Sequence, residues 1–285
     1  MFNYFLYRLG QFIALSLPLN LAYSIAVFVS DVHFFFAKKD KMVVGQNLKA
    51  IFPEKSGSEI NIIKRQIFRN FAKYLVDFFR FSKINSCYIK NKIRIENKHY
   101  LNEALSRQKG AIALTAHLGN WELGGVVISL SGYPFSAVAL PHKDKRINDF
   151  FNSQRQSKNI NVIPLGRAVR QCLDVLKRKE VLALVGDRDF SEKGIILDFF
   201  GKPTFFPEGP AAFAIKTGAA IVPGFMIRDK DDGFILRFEK SLEFNPTGDK
   251  NSDLKNLISR YKGIFEDYIR KYPEQWYMFR RFWIE

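Results

Sequence analysis

Residues 111–125 read AIALTAHLGNWELGG. The first six are short, apolar and preceded by Gly110, which marks a buried strand. Asn120 stands where a helix N-cap belongs, so Trp121 and Glu122 open a helix. Between the two elements lies His117, five positions before Glu122. On one continuous helix, residues five apart point in different directions, whereas a bend at 117–120 lets the carboxylate reach the ring. A histidine held by a carboxylate is a general base, suited to taking a proton from a hydroxyl or an amine. Read structurally, the same two residues are a polar loop histidine and a first-turn acid that favours the helix dipole.

Outward from this stretch, apolar runs at 112–116, 135–140, 162–164, 181–185, 195–199 and 220–226 read as strands. Segments 122–130, 147–158, 168–179, 210–217 and 254–271 read as helices between them. Such alternation predicts an α/β fold, a sheet covered by helices on both faces. In open sheets of this kind chemistry gathers at the carboxyl ends of strands. His117 follows one such end and Asp187 follows another, VLALV at 181–185. With no repeat and no Pro/Gly-rich linker, 41–285 reads as a single α/β domain behind an N-terminal segment, 1–40.

That segment points to a membrane. Residues 9–30 carry no charge, and Pro18 splits them into two apolar pieces. The expectation is an anchor helix or a helical hairpin dipping into one leaflet, without the layout of a cleaved signal peptide. Lys38, Lys39 and Lys41 follow the apolar run, against Arg8 before it, which favours a catalytic body on the cytoplasmic face. At 60–81, Ile60, Ile63, Ile67, Phe71, Tyr74 and Phe78 recur at helical spacing among basic residues. This amphipathic helix packs either on anionic headgroups or on the core.

A formal net charge of +16 implies anionic partners. Cys87 and Cys172 stand apart, with no C-x-x-C pair, which suits a reducing compartment. His33, His99, His117 and His142 form no zinc-binding spacing, and no phosphate-binding glycine loop follows a strand. No metal or cofactor is expected. Nucleic acid is excluded as a partner, because no recognition motif accompanies the charge.

The string His117-Leu118-Gly119-Asn120-Trp121-Glu122 resembles the first motif of the lipid A biosynthesis acyltransferases, the lauroyl/myristoyl transferases of the lysophospholipid acyltransferase superfamily. The resemblance continues through Asn47-Leu48 with Phe52-Pro53-Glu54, and through Gly166-Arg167 with Gly186-Asp187-Arg188-Asp189. Phe199-Phe200-Gly201-Lys202-Pro203 and Pro273-Glu274-Gln275-Trp276 follow in order, so it spans about residue 42 to the C-terminus. It implies a mixed, mostly parallel sheet of the glycerol-3-phosphate acyltransferase type. It also implies transfer of a fatty acyl chain from acyl-[acyl carrier protein] to a hydroxyl of a lipid A precursor, an anionic glycolipid, at the inner membrane.

On that reading His117 and Glu122 are catalytic, with Glu122 orienting the ring. Arg167, Asp187, Asn120 and Asp189 are the substrate contacts. Arg167, or N–H groups at the start of the Asn120 helix, would stabilise the oxyanion. Neither cysteine serves as a nucleophile, and His142 is a polar loop residue. Phe206-Pro207-Glu208-Gly209 looks like the phosphate-binding motif of glycerolipid acyltransferases, but residues 186–189 hold that place in the order. Pro207 and Glu208 are therefore read as a helix start. Competing readings are the same chemistry on another glycolipid or lysophospholipid, and a non-catalytic lipid-binding protein.

Overall fold

Pro18 ends one apolar helix and caps the next, as its missing N–H and fixed φ require. In the computed structural model, which describes residues 2–165, 168–189 and 193–284, α1 (Phe2–Ser16) and α2 (Leu19–Phe36) form a hairpin. Next come α3 (Lys38–Ile51) and the 23-residue α4 (Gly57–Phe79). The start of α4 is fixed by a capping box, in which Ser56 and Glu59 satisfy each other's backbone N–H.

The apolar stripe of α4 is buried within the protein: Ile67 is 1% exposed and Phe78 is fully covered. Of the two readings of this helix the core one holds, since a stripe packed against neighbouring helices and the 273–275 segment has no face left for lipid. Three of its basic residues pair with acids of the protein. Arg65 and Arg69 both grip Asp31 on α2, and Lys73 pairs with Asp232.

The α/β part continues with α5 (Ser86–Lys92), β1 (Ile93–Glu96), α6 (His99–Ser106), β2 (Ala111–Thr115) and α7 (Trp121–Leu130). β3 (Phe135–Ala139), α8 (Lys145–Gln156), β4 (Ile160–Pro164), α9 (Ala168–Lys177) and β5 (Val181–Val185) follow. A separate antiparallel hairpin, β6 (Ile195–Phe199) with β7 (Lys202–Phe206), precedes α10 (Gly209–Thr217). β8 (Ala220–Arg228), β9 (Phe234–Phe238) and α11 (Lys250–Lys271) complete the order.

Seven strands form one sheet in the order β1-β9-β8-β2-β5-β3-β4. Every pairing in it is parallel except β8 with β9. The expected mixed, mostly parallel sheet is therefore present. Its central strands are continuous apolar runs because helices cover both faces. α9, α10 and α11 pack on one face with Ile112, Leu114 and Ile221. α6, α7 and α8 pack on the other with Ala111, Val181 and Val222. Each fully buried large side chain in these layers contributes roughly 1.5–3 kcal/mol.

Candidate active site

β2 and β5 lie side by side in parallel register, with Thr115 opposite Val185. Two residues past each strand end stand His117 and Asp187, so the sheet register itself brings them together. His117 Nδ1 lies 2.7 Å from Asp187 Oδ1, and the His117 backbone N–H donates to Oδ2 at 3.0 Å. Trp276 Nε1 also donates to Oδ2, at 3.2 Å. Asp187 is wholly buried. Burial pushes its carboxyl up, but the His117 imidazole, both hydrogen bonds from His117 and the nearby Arg188 bring it below the ordinary carboxylate value. An ionised carboxylate only accepts, so Nδ1 carries the proton and Nε2 is left as the basic nitrogen.

The bend predicted at 117–120 exists and is clamped from three sides. Tyr277 N–H donates to His117 O at 2.9 Å, Gly119 N–H to Gln275 O at 2.8 Å, and Asn120 N–H to Met226 O at 2.7 Å. Gly119 has φ +63°, and a Cβ there would lie 2.1 Å from the Met226 carbonyl oxygen, so no other residue fits without moving β8. Asn120 caps α7 through Leu123 N–H at 3.0 Å and donates its side-chain N–H to Asp77 at 2.9 Å. Asp77 in turn accepts from Tyr23 of α2 and from Arg228 of β8, forming a buried polar network beneath the turn.

His117 opens on a cavity of about 1020 Å³. Its walls are mostly apolar and aromatic, and its volume is at the upper end for small-molecule sites. Trp121 stands edge-on to the His117 ring, 5.2 Å between centroids, and stacks on Tyr74 at 4.8 Å. Tyr7 of α1 also lines this space, so the N-terminal hairpin supplies part of its wall.

Three expectations need correction. Glu122 does not orient His117: among the described residues its carboxylate is gripped by Arg155, with Nε 2.9 Å from Oε2. Glu122 points along the first turn of α7 toward α8, and Asp187, arriving from the neighbouring strand, occupies the space beside the ring. Asp187 is not a substrate contact, because His117 and Trp276 enclose it. Asn120, 2% exposed, is a cap and a bridge to Asp77, not a cavity residue. Its helix offers fewer free N–H groups than expected, since those of Gly119, Asn120 and Leu123 already have acceptors.

The other candidates divide. Glu122 and Asp189 line the cavity; the Asp189 carboxylate also accepts from Gly194 N–H at 2.7 Å. Arg167 lies outside the described residues. Glu208 is exposed and immediately precedes α10, with Pro210 in its first turn, as a helix start requires. Burial pushes the Cys172 thiol up to about 11, which leaves it protonated and inert at neutral pH. Arg155, which the sequence reading passed over, and His142, which it took for a polar loop residue, both line the cavity. Burial, and then Arg155, hold the His142 ring below its ordinary value, so it is neutral at pH 7.

The site thus sets a buried carboxylate against an imidazole at the edge of a largely apolar cavity. The bacterial lipid A biosynthesis acyltransferase family model matches residues 1–285, and the chain belongs to that family and is an acyltransferase. It is 30% identical to the phosphatidylinositol mannoside acyltransferase of Mycolicibacterium smegmatis over 219 residues, 75% of this chain and 70% of that one. It is 25% identical to the lipid A biosynthesis palmitoleoyltransferase of Escherichia coli over 256 residues, 87% of this chain and 80% of that one. The 1-acyl-sn-glycerophosphate acyltransferase structure from Thermotoga maritima covers 85% of this chain and 97% of its own, at 14% identity and a TM-score of 0.39, too loose a likeness to argue from.

Proposed function

We propose that the chain transfers a fatty acyl group from acyl-[acyl carrier protein] to a hydroxyl of a lipid A precursor, with His117 as general base. The observation that carries this is the hydrogen bond from His117 Nδ1 to the enclosed Asp187 at the wall of the cavity. The acceptor oxygen attacks the thioester carbonyl as Nε2 takes its proton. The tetrahedral intermediate then expels the thiolate, which recovers that proton from the imidazolium. Asp187 keeps the ring in the productive tautomer and stabilises its charged form. The first-turn N–H groups of Trp121 and Glu122 have no acceptor inside their helix, and they are the candidates to meet the oxyanion. No covalent acyl-enzyme is required.

Glu122, pinned by Arg155, and Asp189 are proposed to contact the polar part of the substrate. Arg167 remains proposed for an anionic group of the acceptor. The net charge of +16 suits both an acidic carrier protein and a phosphate-bearing lipid. The location proposed with it is the inner membrane, with the cavity on the cytoplasmic side and the 1–40 segment as the anchor.

A second acceptor has a specific reason behind it. The relative that is 30% identical carries the name of a phosphatidylinositol mannoside acyltransferase, so a mannosylated inositol lipid belongs in the same test. Purified protein is given labelled acyl-carrier or coenzyme A donors and a panel of lipid A precursors, mannosylated inositol lipids and lysophospholipids. Transfer to a lipid A precursor that vanishes in His117→Ala supports the proposal. Transfer only to another acceptor replaces the substrate, and full activity of His117→Ala ends the mechanism.

A further inference from the structure

Beneath the His117 turn lies a buried ion pair that the proton transfer does not use. Asp77 of α4 and Arg228, the last residue of β8, are both buried, are joined side chain to side chain, and do not line the cavity. The Asp77 carboxylate accepts from two further donors, the Tyr23 hydroxyl of α2 and the Asn120 side-chain amide, the latter at 2.9 Å. Arg228 Nη1 also reaches Tyr23 Oη at 3.1 Å and Asp232 at 3.4 Å. The Gln275 side chain grips the Arg228 backbone through two bonds of 2.9 Å, and the Gln275 carbonyl accepts from Gly119 N–H. Met226, two residues earlier on the same strand, accepts from Asn120 N–H. The pair and its strand thus hold the turn at Gly119 and twice at Asn120.

Stability alone is a poor reason for such a pair. Burial pushes the Asp77 carboxyl up, against the pull of Arg228 and of the hydrogen bonds it accepts. Apolar side chains of similar volume often replace a buried ion pair without loss of stability. What apolar packing does not supply is a fixed direction for the Asn120 amide. Its oxygen is committed to Leu123 N–H as the cap of α7, so its NH2 needs an acceptor of its own, and Asp77 is that acceptor. Held at both ends, the amide has one orientation. The start of α7 follows directly from it, and His117 stands three residues before it.

We propose that Asp77 and Arg228 are positioning residues of the transfer reaction. Acting through the Asn120 amide, they hold the bend that carries His117 and fix the direction of the first-turn N–H groups of α7. This rests on the mechanism given above and adds what keeps its base and its oxyanion donors in mutual register. Tyr23 extends the device to α2, since its hydroxyl bonds to both members of the pair.

The test separates direction from stability, in the full chain. In an Arg228→Met background, Asp77→Leu and Asp77→Asn both remove the buried charges, but only the second keeps an acceptor for the Asn120 amide. Asp232 retains Lys73 in both. Asn120→Ser is the second probe, since serine caps a helix as asparagine does but is too short to reach Asp77. Transfer is measured with the labelled donors and the acceptor panel described above, alongside a thermal melt and amide hydrogen exchange over residues 117–123. Expected in the Asp77→Leu and Asn120→Ser proteins are a kcat about 10–100-fold lower and a KM within about three-fold of wild type. Exchange at Gly119 and Asn120 should quicken while the rest of the chain exchanges as before, and Asp77→Asn should recover most of the lost rate. A folded Asp77→Leu protein with wild-type kcat and exchange overturns the positioning role; if that protein does not fold, the same result in Asn120→Ser overturns it. Equal losses from Asp77→Leu and Asp77→Asn overturn the amide as the link. Transfer that survives His117→Ala brings down the mechanism and this inference together, whereas a dead His117→Ala beside an unimpaired Asn120→Ser brings down the inference alone.

Discussion

Replacing Asp187 by Asn separates the present mechanism from one in which Glu122 orients His117. The carboxylate receives three hydrogen bonds, from His117 Nδ1, His117 N–H and Trp276 Nε1. An amide of the same shape has one acceptor oxygen, and its NH2 must face a donor. If the oxygen stays on the backbone N–H and Trp276, the NH2 forces Nδ1 to accept, and the proton moves to Nε2. The base is then blocked at the atom that meets the acceptor. Exchanging a carboxylate for an amide behind a catalytic histidine costs up to about 10⁴-fold in kcat, so a loss of about 10³–10⁴-fold, some 4–5.5 kcal/mol of barrier, is expected. One mismatched buried donor costs about 1–3 kcal/mol of stability, a melting shift of roughly 2–4 °C per kcal/mol, so the variant folds. Acyl transfer is followed with labelled donor at saturating acceptor, with a thermal melt alongside. A folded Asp187→Asn enzyme within a few-fold of wild-type kcat, under conditions where His117→Ala is dead, would refute the pairing.

Glu122→Gln and Arg155→Met should each weaken acceptor binding more than kcat. As breaking one side of a buried pair costs about 3–5 kcal/mol, the double variant should be less unstable than the singles sum to; additive melts would show that the pair is not coupled. Gly119→Ala should abolish detectable transfer and destabilise by roughly 1–3 kcal/mol, because the new methyl meets Met226 O; a normal melt and normal rate would contradict the clamp. Asn120→Ala removes a helix cap and the bridge to Asp77, for about 1 kcal/mol from the cap and a further loss of rate from a loosened turn; unaltered kcat would make the cap purely structural. The Asp187 carboxyl is depressed below its ordinary 3.8, so its stabilising contribution is complete above that pH and is lost as pH falls through the lower folded value. The advantage of wild type over Asp187→Asn in melting should therefore persist down to pH 3.8 and fall away only below it, and its loss already between about pH 5 and 4 would refute the lowered value.

The turn at His117 was legible because its signals are local: an apolar run, a glycine and an N-cap within ten residues. The central strands were legible for the same reason, as β2, β5 and β8 are buried on both faces and read as unbroken apolar runs. β1 and β9 escaped notice because IRIE and FILRF are short, and alternation over so few residues is weak. β7 was hidden by Pro203 and by the motif-like Phe206-Pro207-Glu208-Gly209. The partner of His117 was the hardest to see. Glu122 is near in sequence, whereas Asp187 is 70 residues away and becomes a neighbour only through strand pairing. Its trace was present, since both residues follow the ends of apolar runs by the same short step, but register cannot be read from one strand alone. Arg155 left no such trace on its helix.

Because the β2–β5 register sets His117 and Asp187 the same two residues past paired strand ends, slipping one strand by a single residue would turn its side chain away from the other's. The geometry of the pair is thereby set by the scaffold, whereas the cleft beside it is walled by α1, α8 and the loop bearing His142, none of which belongs to that sheet.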